Sequence, residues 1–244
     1  MANPLIRKLE AYARLSDDDR RLLDSASQDA RTVPGRTDLI REGDKPADVH
    51  LILEGFACRY KITSEGKRQI MAYLVPGDFC DLHVFVLEHM DHSIGTLSPC
   101  KVVNIPRERI LALLERPRLS LTLRLAVLTD MAVLREWLVN LGQRPAEERV
   151  AHALCELLMR LRVVGLADEG SYQLPITQGE LADTMGLSNV HVNRVLQKLR
   201  QAGLISWKGD DLVVPDVDRL IEFSGFNPNY LHLAGNNGRA ELSL

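Results

Sequence analysis

The stretch Ile176–Pro215 reads ITQGELADTMGLSNVHVNRVLQKLRQAGLISWKGDDLVVP. A helical pattern through Leu181, Ala182 and Met185 stops at Gly186, and another restarts behind Ser188. In the second, Val192, Val195, Leu196 and Leu199 fall at i, i+3, i+4 and i+7, one face of a helix. Ser188 offers an N-cap oxygen, and Gly186 tolerates the left-handed backbone of a sharp reversal. Two helices joined by a short turn carrying glycine spell a helix-turn-helix. The polar face of the second helix carries Asn189, His191, Asn193, Arg194, Gln197 and Lys198, all hydrogen-bond donors and none acidic. Such a helix suits the DNA major groove, its first turns meeting base edges and its later cations meeting phosphates.

The residues C-terminal to this helix extend the motif. Leu204–Trp207 and Leu212–Val214 are short apolar runs on either side of Lys208-Gly209-Asp210-Asp211, a hairpin signal that adds a wing. The formal net charge of −3 argues against a nucleic-acid partner only on average, because binding depends on the local patch. From Ser188 to Lys208 the charged residues are Arg194, Lys198, Arg200 and Lys208, while acids gather elsewhere, as at Asp17-Asp18-Asp19.

Working outward, 244 residues with 45% hydrophobic content suffice for one large or two modest domains. No apolar run approaches a membrane span, and the charged start MANPLIRKLEAYARLSDDDR lacks a signal-peptide core, so a cytoplasmic protein without a membrane partner is expected. Cys58, Cys80, Cys100 and Cys155 are scattered without a C-x-x-C pair, which fits buried thiols rather than a zinc ribbon. Residues 4–29 read as helical, with Leu5, Leu9, Tyr12 and Leu15 in one stripe and Ser16 capping a second short helix. From Arg31 to Ile105 the pattern changes to alternating short strands punctuated by Gly43, Gly55, Gly66 and Gly77, as in an antiparallel sandwich or barrel.

Here the segment LIREGDKPADVHLILEGFACRYKITSEGKRQIMAYLVPGDF resembles the β-roll sensor domain of the cyclic-AMP receptor/fumarate-nitrate regulator (CRP/FNR) superfamily. The matching pieces are Arg41-Glu42-Gly43-Asp44, Leu53-Glu54-Gly55, Gly66 and Gly77-Asp78-Phe79. With the winged helix, the resemblance covers roughly residues 5 to 220 in the family's domain order. It implies an α+β chain: an antiparallel β-roll with flanking helices over 1–117, a dimerisation helix over 118–142, a winged helix-turn-helix over 143–223 and a tail over 224–244.

The resemblance also implies an effector pocket at Gly77, Asp78, Phe79, Cys80, Asp81, Leu82, His92 and Ser93. Cyclic-nucleotide members follow Gly-Asp-Phe with Gly-Glu-Leu for the ribose and, further on, Arg-Ser for the phosphate. This chain has Cys80-Asp81-Leu82 and His92-Ser93. Arginine grips phosphate with a permanently charged fork that neutral histidine cannot reproduce, so cyclic AMP is not expected as a ligand. The iron–sulfur branch uses cysteines near the N-terminus, and no cysteine precedes Cys58, so that cluster is not expected either. His83, His89 and His92 are the remaining candidates for a metal or haem, without a His-x-x-x-His or His-x-His pair between them.

Pro106 opens a helix and Pro117 breaks it or starts the next, which runs from about Ser120 to Leu141. Val127, Met131, Leu134, Leu138 and Leu141 alternate spacings of four and three, a coiled-coil seam, and in the family this helix pairs two subunits. Gly142-Gln143-Arg144-Pro145 reads as a hinge before a helix from Ala146 to about Val163. The Gly-, Asn- and Pro-rich tail reads as flexible or loosely docked.

In family terms Arg194 takes the place of the arginine that reads guanine through O6 and N7, and Val190 replaces the usual glutamate. Asn189 and Asn193 suit either adenine or phosphate, Ser188 and His191 complete the DNA-binding set, and Thr177, Gln178, Lys198 and Lys208 are the expected phosphate contacts. The expected protein is a homodimeric transcription regulator that binds double-stranded DNA and works beside RNA polymerase. Its rivals are a haem- or metal-containing redox sensor and a sensor subunit that regulates a protein partner. With no P-loop, Gly-x-Ser-x-Gly elbow or cupin ligand set, an enzyme is not expected.

Overall fold

The computed structural model describes residues 3–82 and 84–233. Two short helices open the chain, α1 (Pro4–Glu10) and α2 (Asp17–Ala26). The expected helical stretch is broken between them, yet Tyr12 and Leu15 remain buried in the connection. Ser16 caps α2 in a capping box closed by Asp19.

Seven strands come next: β1 (Arg31–Val33), β2 (Asp38–Ile40), β3 (Asp48–Glu54), β4 (Ala57–Ile62), β5 (Arg68–Leu74), β6 (Ser93–Thr96) and β7 (Cys100–Pro106). They form two antiparallel sheets, ordered β1-β7-β3 and β2-β6-β4-β5, which is the expected β-roll. Gly55 turns β3 into β4 at φ +84°, and a Cβ there would lie 2.2 Å from the Pro99 carbonyl oxygen. Both the positive φ and the close approach demand glycine. Val49, Leu51, Ile52, Leu74, Ile94, Val102 and Ile105 fill the roll, sealed by Leu5 and Leu9 of α1.

Helix α3 (Arg107–Leu114) leads to α4 (Pro117–Gln143). Pro117 sits in the first turn of α4, where its missing N–H costs nothing, so α4 starts earlier than the apolar periodicity alone suggests. Its 27 residues span roughly 40 Å. One stripe, including Leu119, Leu123, Ala126, Val133 and Trp137, is buried. On the other, Met131, Leu134 and Leu138 are 51%, 54% and 73% exposed, joined by Leu128 and Val139. Val127 and Leu141 of the expected seam are half-covered.

The expected hinge is shorter than Gly142–Pro145. Gly142 and Gln143 remain helical, and only Arg144 and Pro145 separate α4 from α5 (Ala146–Val164). Asn140 donates to the Arg149 carbonyl and Trp137 to Glu156, so α5 folds back along α4. The remaining elements are β8 (Ser171–Gln173), α6 (Gln178–Met185), α7 (Asn189–Gln201), β9 (Ser206–Lys208), β10 (Asp211–Val213) and α8 (Val217–Ser224). The wing is a three-stranded sheet, β8-β10-β9, whose hairpin turns at Gly209–Asp210. Leu204 and Ile205, expected in the hairpin, are buried ahead of it.

The hydrophobic core of the C-terminal half is not closed on itself. Leu154, Leu158, Leu181 and Leu196 pack in one cluster with Trp137 of α4 and with Tyr60, Ile70 and Tyr73 of the β-roll. Tyr73 and Trp137 meet edge to face at 5.6 Å. The expected loose tail is corrected as far as the structure describes it: Phe226 and Leu231 are buried, whereas residues 234–244 lie outside the described residues. No helix among the described residues is long and apolar enough to cross a membrane.

Candidate nucleic-acid interface

Helix α6 begins at Thr177, whose hydroxyl accepts from Glu180 N at 3.1 Å while the Glu180 carboxylate accepts from Thr177 N at 2.6 Å. It ends at Gly186 with φ 63° and ψ 35°, and Arg149 donates to the freed Met185 carbonyl at 2.7 Å. Ser188 then caps α7 by accepting from His191 N at 3.2 Å. Val192, Val195, Leu196 and Leu199 are buried, which turns the opposite face of α7 outward. Asn189, Val190, His191 and Arg194 are exposed there, Val190 at 63%. Arg194 forms no hydrogen bond or ion pair among the described residues, so its guanidinium is available to a partner.

The expected phosphate contacts divide. Lys208 is exposed at the wing turn. Gln178 accepts from Asn193 Nδ2 at 3.2 Å, a cross-bond that ties α6 to α7. Lys198 is paired with Glu147 of α5, which holds the Glu147 carboxyl below its usual range. The local charge count missed this neighbour because Glu147 arrives from another helix.

Helix α6 presents Glu180, Asp183 and Thr184 to the β-roll, three positions on one helical face. Arg68 of β5 donates to Asp183 at 2.7 Å, Gln69 to the Thr184 carbonyl at 3.0 Å, and Tyr73 shares a 2.6 Å bond with the Thr184 hydroxyl. Arg36 reaches Glu180 at 3.4 Å. No periodicity in the sequence marks these contacts.

A cavity of about 480 Å³ lies between the β-roll and α4. Of the expected effector residues, Phe79, Asp81, Leu82 and His92 line it, together with Val127, Asp130, Met131 and Leu134 of α4. Asp78 does not, because its carboxylate is buried between Lys8 at 2.6 Å and Arg160 at 2.7 Å and accepts from Val75 N. Burial favours its neutral form, but the two cations outweigh burial and hold it ionised. Cys80 is buried in the roll, Ser93 accepts from Glu42 N at 2.9 Å, and Gly77 forms the turn ahead of Asp78, so none of these lines the cavity.

The residue that sequence reasoning missed is Arg59. From β4 it donates to the Cys80 carbonyl at 2.7 Å and to Asp130 of α4 at 3.1 Å, and it lies 3.5 Å from Asp81. Its only signal in the sequence is a charge at an inward register of a strand. His92 lies between Asp91 at 2.7 Å and Asp81 at 3.0 Å. Burial is the largest influence and disfavours the imidazolium, but the two aspartates together raise the His92 pKa above its ordinary value.

Among the described residues no group of three His, Cys, Asp or Glu side chains is placed to hold a metal. His89 is exposed against the Gly43 carbonyl, and His83 lies outside the described residues. All four cysteines are buried, and burial raises the thiols of Cys58 and Cys155 to about 12.

Residues 30–117 match the cyclic nucleotide-binding domain, and residues 148–223 match the Crp-like helix-turn-helix domain. Over 166 residues the chain is 30% identical to the nitrogen fixation regulation protein FixK of Bradyrhizobium diazoefficiens, covering 68% of this chain and 69% of that protein. The transcriptional activator protein FnrL of Cereibacter sphaeroides is 27% identical over 225 residues, 90% of each chain. Among solved structures, FixK2 from Bradyrhizobium japonicum has the same fold, with a TM-score of 0.69 at 24% identity over 80% of this chain and 96% of that one.

Proposed function

The chain belongs to the CRP/FNR family of DNA-binding transcription regulators, and from that premise we propose that it acts as a homodimer on a two-fold symmetric operator, with the β-roll cavity as the seat of its signal. The observation that carries the DNA-reading surface is the outward face of α7, held by four buried aliphatic residues and presenting Arg194, which has no partner among the described residues. An unpaired guanidinium suits the paired acceptors of guanine, and Val190 beside it suits a thymine methyl. The apolar stripe of Met131, Leu134 and Leu138 supports the dimer, since a second α4 buries it.

Cyclic AMP fits the cavity poorly. A cyclic phosphate needs a free cation, yet Arg59 is paired with Asp81 and Asp130, Arg160 with Asp78 and Glu156, Lys8 with Asp78, and Lys61 with Glu42. RNA polymerase enters as a partner because FnrL is described as a transcriptional activator, and the cytoplasm is then the place of action.

The test is selection of duplexes from a randomised pool, followed by a salt titration of the enriched DNA. Affinity should fall linearly in log–log form as salt rises, in step with the phosphates contacted. A purified protein that enriches no duplex at low salt would sink the reading.

A further inference from the structure

The match to the helix-turn-helix domain ends at residue 223, but the chain then returns to the junction of the two halves. Gly225 closes α8 in the left-handed region, Phe226 N donates back to the Ile221 carbonyl at 3.1 Å, and a 3₁₀ turn over Pro228–Leu231 is capped by Asn227. That turn packs against α4. Leu231 is 1% exposed, and Leu233 touches both hydrophobic cores.

The anchor is polar as well as apolar. Tyr230 donates its hydroxyl to Glu156 Oε2 at 2.9 Å, the same oxygen that accepts from Trp137 of α4 at 2.9 Å. Arg160 joins the other Glu156 oxygen at 3.1 Å and continues to Asp78 of the β-roll. Buried polar groups are costly to leave unpaired, so release of Tyr230 disturbs a shared network rather than one contact.

In a two-fold dimer paired through α4, the orientation of each DNA-reading domain against α4 sets the distance between the two α7 helices. That distance must match half-sites roughly one helical turn apart. We propose that residues 226–233 are an intramolecular strap that fixes this orientation, so that they govern binding to a paired operator and not recognition of one half-site. The inference rests on the homodimer reading of the proposed function.

The test compares two duplexes, the palindrome enriched by the wild-type protein and the same DNA with one half scrambled. Leu231→Asp should weaken palindrome binding at least 10-fold while half-site binding stays within twofold. Equal loss on both duplexes would assign the segment to the reading domain's own fold and overturn the proposal. No change on either would overturn it too. If Leu231→Asp does not fold, Tyr230→Phe decides by the same comparison, with at least a threefold selective loss expected. Failure of the wild-type protein to enrich any duplex is the separate failure of the DNA-reading premise.

Discussion

Arg194 stands on the solvent side of α7 with no partner among the described residues. Its replacement by alanine leaves the buried face of α7 intact, so the loss falls on recognition. Arg194→Ala should cost about 1–3 kcal/mol in operator binding and relax specificity at one base pair per half-site. An unchanged profile across point-mutated operators would remove the guanine-reading role. His152 makes a different kind of prediction. Its ring is fully buried against Phe226 and Tyr230, with Nε2 3.3 Å from Glu136 Oε1. Burial first, then the charge of Arg144, lowers its pKa from 6.5 to about 4 despite the nearby Glu136. The unfolded imidazole takes up its proton near pH 6.5 and the folded one near 4. Between those values the unfolded state binds more protons, so stability is full above the interval and falls as pH falls through it. The change is on the order of 3 kcal/mol. His152→Gln should flatten that part of the profile, read by denaturant unfolding at stepped pH. His92 has the opposite sign: its raised pKa gives stability at low pH that is lost as pH rises through the folded value.

At the scale of the element, α4 is a two-faced rod. The buried stripe carries Leu119, Leu123 and Trp137, and the open one carries Met131, Leu134 and Leu138. Paired Leu134→Asp and Leu138→Asp replacements leave the first stripe untouched and place like charges against like charges in a two-helix seam. Monomers that lose operator binding are the expected result, and sedimentation of an intact dimer would take this face out of the reading. The outward apolar stripe of Met131, Leu134 and Leu138 was legible because helical spacing is a local property of the chain. The cap of α7 was legible for the same reason, since Ser188 and His191 bond within three residues. Arg59 was not, because what makes it matter is Asp130, 71 residues away and on another element. The tail misled through composition, since its glycines and asparagines masked a Phe226–Tyr230–Leu231 spacing that packs.

At the scale of the molecule, Asp78 belongs to the joint and not to the pocket that its motif suggested. It accepts from Lys8 of α1 and Arg160 of α5 while only 1% exposed, so it ties three segments. Asp78→Asn should cost about 3–5 kcal/mol, because Lys8 loses its counter-charge and Arg160 is left with Glu156 alone. A thermal midpoint within a degree or two of wild type would show the joint to be dispensable. The order of domains was readable from motifs, but their contact was not, since Asp183 and Thr184 bear no mark of meeting Arg68 and Tyr73 until β5 and α6 are packed. The shared cluster around Tyr73 and Trp137 bears on modular engineering. Severing the polypeptide at Arg144 would bare Tyr73 and Trp137 on one fragment and the leucines they pack with, Leu154 and Leu158, on the other, so a graft onto a foreign receptor must transplant the outer skin of β4 and β5 along with it.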